Sequence, residues 1–233
     1  MTLRHCAPIV YSIGALLFAL KKGLIMNKKS VRFITITAIL GALSAVFQIF
    51  EIPVPMLVPG FVKLDFSDLP ALLATFLVSP ISGVIVCLIK NVVHIATSSS
   101  VGIGELANFL TSAFCVLPAG IIYALKPTKK MAVIAMLVGA LISGIISIPV
   151  NYFITYPFYM SAFGLTEEAL IGMYSEVVAL QQQMFGISAA PAVTLVDALV
   201  WFNAPFTFIK FLMCSVVVFF IYKPLSKVTK KGA

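Results

Sequence analysis

The stretch Phe66-Ser-Asp-Leu-Pro-Ala-Leu-Leu-Ala-Thr-Phe-Leu-Val-Ser-Pro-Ile-Ser-Gly-Val-Ile-Val-Cys-Leu-Ile-Lys-Asn-Val-Val-His-Ile-Ala-Thr97 decides the fold. It reads either as one kinked apolar helix or as two short helices that meet at Ser79-Pro80. The rest of the chain fixes the class. Of 233 residues, 61% are hydrophobic and 10% are charged, against about 25% charged in soluble domains. So little polar surface cannot keep the chain in water. We read it as an integral membrane protein, which excludes a cytosolic enzyme, a nucleic-acid binder and a disordered tail protein. The net charge of +8 then matters through its placement. We find no fixed-period repeat.

A bilayer span needs about 20 apolar helical residues. Val31–Phe50, Glu105–Leu125, Met131–Tyr159 and Pro191–Tyr222 qualify. Lys and Arg collect on the cytoplasmic side of such spans, and this rule resolves the decisive stretch. If Phe66–Thr97 is a hairpin of two spans, Lys28, Lys29, Arg32, Lys126, Lys129, Lys130, Lys223, Lys227, Lys230 and Lys231 all fall on one side, with Lys63 opposite. If it is one span, the Lys126–Lys130 cluster and the C-terminal tail face outward. The hairpin satisfies the rule. The expectation is an all-α integral membrane bundle of six transmembrane helices, multi-pass in a bacterial cell membrane, with both termini cytoplasmic. Residues 1–25 read as an N-terminal extension, because Cys6–Leu20 as a helix covers about 22 Å of a roughly 30 Å core. Residues 26–225 form the membrane domain and residues 226–233 a basic cytoplasmic tail.

Two expected outer loops carry information. Glu51–Lys63 sets Pro53, Pro55 and Pro59 among Met56, Leu57, Val58 and Phe61. A proline-stiffened apolar loop fits a lid over an outward pocket or a segment dipping into the interface. In Ser161–Ala190, Thr166 can cap an amphipathic helix whose first turn holds Glu167 and Glu168.

The chain holds no GxxxxGK[ST] phosphate loop, no GxSxG, no HExxH and no DDxxD, so we read no enzyme and no ATPase site here. Cys87, Cys115 and Cys214 sit in apolar runs without metal spacing, and no metal or cofactor is expected. Polar residues inside spans are costly and therefore informative. Asn203, Thr207 and Lys210 share one face of the last span, and Pro205 frees the Trp201 carbonyl and kinks it. Asn151 and Thr155 share a face of the fifth span, with Tyr152, Tyr156 and Tyr159 beside them. This mixture suits a flat ring with polar edges, or helix-to-helix hydrogen bonding with an interfacial aromatic belt. Asp65 and Asp68 stand where the second span begins, where Ser67 and Asp68 can cap it; an ion or substrate role is the alternative. Lys90, Asn91 and His94 cluster in the third span as a proton relay or a buried ion pair. Ala38, Ala42 and Ala45 give the first span a small-residue packing face.

Lys63-Leu-Asp-Phe-Ser-Asp-Leu-Pro-Ala-Leu72, Ser79-Pro-Ile-Ser-Gly83, Leu88-Ile-Lys-Asn-Val-Val-His94 and Asn203-Ala-Pro-Phe-Thr-Phe-Ile-Lys210 together resemble the riboflavin-specific S component of energy-coupling-factor (ECF) transporters. The likeness runs from Met26 to Lys223. It implies a vitamin-binding subunit of an ABC-type importer, working with a transmembrane coupling protein and two ATPase subunits, with riboflavin as transported ligand. It also implies that the first outer loop and the outer halves of the later spans hold the vitamin. Asn151 and Lys210 are the contacts carried over; the family has an Asn where this chain has Thr207. The expected substrate-binding set is Asn151, Thr155, Tyr152, Asn203, Thr207, Lys210, Met56, Leu57 and Phe61. The expected partner face is Ala38, Ala42 and Ala45. An S component for another vitamin and a proton-coupled carrier are the alternatives, but a carrier's internal inverted repeat is not seen.

Overall fold

The computed structural model of the chain describes residues 28–98, 100–186 and 194–231. The expected extension over residues 1–25 lies outside the described residues, as do the last two residues of the basic tail. The chain is helical almost throughout. It runs α1 (Lys28–Ile49), strands β1 (Ile52–Pro53) and β2 (Lys63–Leu64), α2 (Asp68–Leu77), α3 (Pro80–His94), α4 (Ile103–Leu125), α5 (Lys129–Val150), α6 (Tyr156–Phe163), α7 (Glu167–Phe185), α8 (Leu195–Ala198) and α9 (Ala204–Lys231). Among the described residues, five stretches are long and apolar enough to cross a membrane: Ser30–Ile49, Pro80–Thr97, Ile103–Leu125, Lys129–Phe163 and Leu195–Tyr222. The chain is a multi-pass membrane protein.

Ser79 and Pro80 do break the decisive stretch. Ser79 is extended, its hydroxyl accepts from the Ser82 amide at 3.1 Å, and Pro80 enters the first turn of α3, where its missing N–H costs nothing. The second helix differs from the expected span. Its ten residues rise only about 15 Å, half of a bilayer core. The chain ahead of α2 is irregular because its polar groups bond elsewhere. The Asp65 carboxylate takes the Ser67 amide at 2.8 Å and the Ser67 hydroxyl. Ser67 therefore does not cap α2 with its side chain, contrary to expectation.

Two prolines shape the mouth end of the bundle. Wide π-type turns cover Asn151–Thr155 and Leu199–Asn203, just ahead of Pro157 and Pro205. A proline ring clashes with the carbonyl four residues back, and one extra residue in the turn makes room for it. The kink expected at Pro205 is therefore a widened turn inside a continuous helix, and Pro157 follows the same kind of turn.

Close backbone approach packs α4 against its neighbours. A Cβ added at Gly139 of α5 would lie 2.5 Å from the Cys115 carbonyl oxygen, and one at Gly120 would lie 2.8 Å from Pro80 Cβ. From Ile36 onward the chain forms one unit with two apolar clusters. One joins Leu72, Phe76, Val116, Met136, Phe211 and Tyr222. The other joins Val58, Tyr156, Tyr174, Leu199, Phe202 and Phe206. The chain passes from one to the other at Asp65–Asp68 and at Lys210, and there the ionised side chains sit. Part of α1 fits the same plan. Its buried stripe mixes Leu40 and Ala45 with polar residues: Thr37 bonds Ser82 at 2.6 Å, Ser44 bonds the Ser67 carbonyl and Gln48 bonds Asn91 at 3.2 Å. Such bonds join helices where apolar burial gives no gain.

Candidate functional site

At the end of α2 where the chain is irregular, two aspartates and two lysines meet in one buried layer. Lys90 Nζ donates to Asp68 Oδ1 at 2.6 Å and to Ser67 Oγ at 2.7 Å. Lys210 Nζ donates to Asp65 Oδ2 at 2.8 Å and to Asn108 Oδ1 at 3.2 Å. The Ser112 hydroxyl adds a bond to Asp68 Oδ1 at 2.6 Å. Asp68 Oδ2 lies 3.2 Å from Lys210 Nζ yet has no hydrogen bond among the described residues. Two positive and two negative charges leave the layer neutral, which is how ionised groups are tolerated away from water.

A half-open cavity of about 160 Å³ lies against this layer, far more space than one buried water needs. Lys210, Asp65, Asn108 and Thr111 line it on one side, with Asn151, Thr155 and Thr207. Phe61, Val62, Tyr159, Phe206 and Phe211 supply apolar and aromatic wall. At its rim the His94 ring meets Glu105 Oε1 at 2.9 Å, and Ser98 and Ser100 donate to Glu105 Oε2 at 2.8 and 2.9 Å. Glu51 pairs with Lys63 across the short β1–β2 ribbon, closing the base of the loop between them. Gln181 of α7 donates to the Met56 carbonyl at 2.7 Å and ties that loop to the surface helix.

Gln48 brings an acceptor to the cavity wall. Asn91 Nδ2 donates to the Cys87 carbonyl at 2.8 Å, so its Oδ1 must face Gln48 and accept from Nε2. Gln48 Oε1 is then left buried without a partner among the described residues.

Of the expected site residues, Phe61, Asn151, Thr155, Thr207 and Lys210 line this cavity. Asn151 Nδ2 is bonded to the Ser147 carbonyl at 2.8 Å, and its Oδ1 has no hydrogen bond among the described residues. Four expected residues stand elsewhere. Tyr152 is exposed and packs edge-on to Phe153, because the wide turn carries it off the cavity stripe. Asn203 is buried between two tyrosines: Tyr174 donates to its Oδ1 at 2.6 Å and its Nδ2 donates to Tyr156 at 3.0 Å. It shares a helical face with Lys210, but at its level that face meets α7. Burial pushes the Tyr174 phenol well above its ordinary pKa, so it stays a donor. Leu57 is exposed and Met56 only part-buried, and neither lines the cavity.

Burial also bears on the small-residue face of α1 and on Lys90, which forms a buried ion pair with Asp68. Ala38 and Ala42 are exposed, but Ala45 is 7% exposed and packs inside the chain. At about 100° per residue, Ala45 lies about 60° beyond the arc of Thr37, Leu40, Ser44 and Gln48, nearer to it than Ala38 at about 80° or Ala42 at about 120°. Lys90 belongs to the cavity half of α3, four residues before His94, and shares Asp68 with Lys210. From the sequence, Asp65 reads as a helix-start residue with an ion or substrate role as the alternative, and Asn108, Thr111 and Gln48 are not singled out. Asn108 and Thr111, polar and three apart inside an apolar run, were the available signal.

The sequence profile of the family described as ECF transporter, substrate-specific component, matches residues 32–222. The chain belongs to this family. It is 30% identical over 200 residues to a riboflavin transporter, RibU, of Staphylococcus aureus (strain TCH60), covering 86% of this chain and 93% of that one. It is 29% identical over 132 residues to the riboflavin transporter FmnP of Bacillus subtilis (strain 168), covering 55% and 69%. A solved structure of the S component of a bacterial ECF transporter superposes with a TM-score of 0.63 at 28% identity, covering 85% of this chain and 97% of that one. As an S component the chain is a transport subunit, and the cavity is its candidate substrate site.

Proposed function

We propose that this S component binds riboflavin in the cavity and delivers it to an importer powered by separate ATPase subunits. The observation that carries the reading is the 30% identity to a riboflavin transporter across nearly the whole of both chains. The chemistry of the cavity supports it. Riboflavin is uncharged, and its flat ring is edged by carbonyls and ring nitrogens. Phe61, Tyr159 and Phe206 offer apolar wall for the ring faces, while Lys210, Asn151 and Thr207 offer polar groups for the edges. The buried ionic layer is neutral as a whole, so a neutral ligand meets no uncompensated charge.

In this reading the chain lies in the bacterial cytoplasmic membrane, and the lysine distribution supports both termini inside and the cavity facing out. The α2–α3 hairpin completes six passes, with the irregular chain ahead of α2 filling the outer half of the second. The absence of a phosphate loop from the sequence makes uptake depend on partners. Ala38 and Ala42, exposed together on α1 with Ile39, Leu43 and Val46, form the face offered to the transmembrane coupling protein. Titration of the purified chain with riboflavin, followed by flavin fluorescence, tests the reading. Saturable quenching at one vitamin per chain is expected. No quenching at concentrations well above those of vitamin uptake would exclude riboflavin as ligand.

A further inference from the structure

Lys90 does not line the cavity. It is fully buried, and its ammonium is spent on Asp68 and Ser67. The electrostatics beside it nevertheless bear on the ligand side. Asp68 is held through Oδ1 alone, by Lys90 and Ser112, while its Oδ2 stands 3.2 Å from Lys210 Nζ without a hydrogen bond. Lys210 has three N–H groups and commits two, to Asp65 and Asn108. The third is contested between Asp68 Oδ2 and the cavity that Lys210 lines.

We infer that Lys90 is a positioning residue: by offsetting the charge of Asp68, it keeps the third N–H of Lys210 available to a ligand carbonyl. The inference rests on the riboflavin reading of the cavity. Without the Lys90 charge, Asp68 is an uncompensated carboxylate in a low-dielectric layer, where a nearby ammonium is attracted far more strongly than in water. Lys210 is the nearest cation, and it turns toward Asp68 and away from the cavity. The ligand then loses a charge-assisted hydrogen bond although nothing it touches has been changed. Replacing Asp68 by Asn in the same background removes the pull and restores a neutral layer. No such rescue is expected if Lys90 serves only to fill space.

The test is riboflavin titration of the full-length chain, reading the dissociation constant and the number of sites separately. Lys90→Met should weaken binding about tenfold, the size of a lost charge-assisted bond, with the number of sites per folded chain unchanged. Lys90→Met/Asp68→Asn should return to within about twofold of the parent. If Lys90→Met alone does not fold, the neutral double variant carries the test, and a tenfold loss in it overturns the inference. Parent-like affinity in Lys90→Met overturns it too, as does a loss of sites at unchanged affinity, or a loss that Asp68→Asn fails to restore. A parent chain that binds no riboflavin overturns the ligand reading and this inference with it. A parent that binds while the variants behave otherwise than stated overturns this inference alone.

Discussion

Replacing Lys210 by Met removes two things at once, the ion-pair partner of Asp65 and the donor offered to the ligand, and the geometry allows them to be separated. Lys210 is 7% exposed, and its partner Asp65 is 4% exposed at 2.8 Å. With the ammonium gone, Asp65 and Asp68 share one remaining lysine, Lys90, so one buried carboxylate is unpaired. Breaking a buried pair from one side costs about 3–5 kcal/mol. Lys210→Met is therefore expected to lower stability strongly, and weak binding by it would be ambiguous. Lys210→Met/Asp65→Asn keeps the layer neutral while removing the donor. That variant should melt near the parent in detergent. Its riboflavin affinity should fall by about 1.5–3 kcal/mol, on the order of tenfold to a hundredfold, the cost of one charge-assisted hydrogen bond. Fluorescence titration and thermal melting on the same preparations read both numbers. A double variant that melts and binds like the parent would refute the assignment of Lys210 to the ligand.

Three further outcomes are expected. Asn203→Leu leaves the Tyr156 and Tyr174 hydroxyls without their shared partner, so it should destabilise by about 1–3 kcal/mol in a melting experiment; a larger loss of affinity than of stability would return Asn203 to the binding set. Ala42→Leu adds bulk on an exposed face of α1, so uptake in cells with the coupling subunits should fall while binding to the purified chain is unchanged; equal loss of both would mean that the face packs against the chain's own cavity wall. A cysteine at position 168, in the first turn of the surface helix α7, should react with an impermeant thiol reagent applied outside cells, and one at position 129 should not; labelling at 129 would reverse the orientation.

The long apolar helices and the break at Ser79-Pro80 could be read from the sequence because they depend on local chemistry. Thr166 caps α7 as expected, accepting from the Ala169 amide at 3.2 Å, and Ser79-Pro80 divides α2 from α3. These need only residues a few positions apart. The half-length of α2 was hidden, since Phe66–Leu77 is as apolar as a spanning helix, and what unwinds its start is Asp65 bonding to Lys210 across 145 positions. The same long-range pairing explains why the aspartates looked like helix caps. Helical spacing placed Asn203, Thr207 and Lys210 on one face. It could not show that α7 covers that face at Asn203 and leaves it open to the cavity four residues later. Tyr152 was lost to the extra residue in a wide turn that a fixed 3.6-residue period does not represent.

The most direct test of the account is an experimental structure of the chain with riboflavin bound. The account places the ring between Phe61 and Lys210, with a ring carbonyl in hydrogen-bond reach of Lys210 Nζ, Asn151 alongside, and Lys90 still paired to Asp68. Riboflavin seated elsewhere, or Lys210 bonded only to Asp65, Asp68 and Asn108 with the vitamin present, would contradict it.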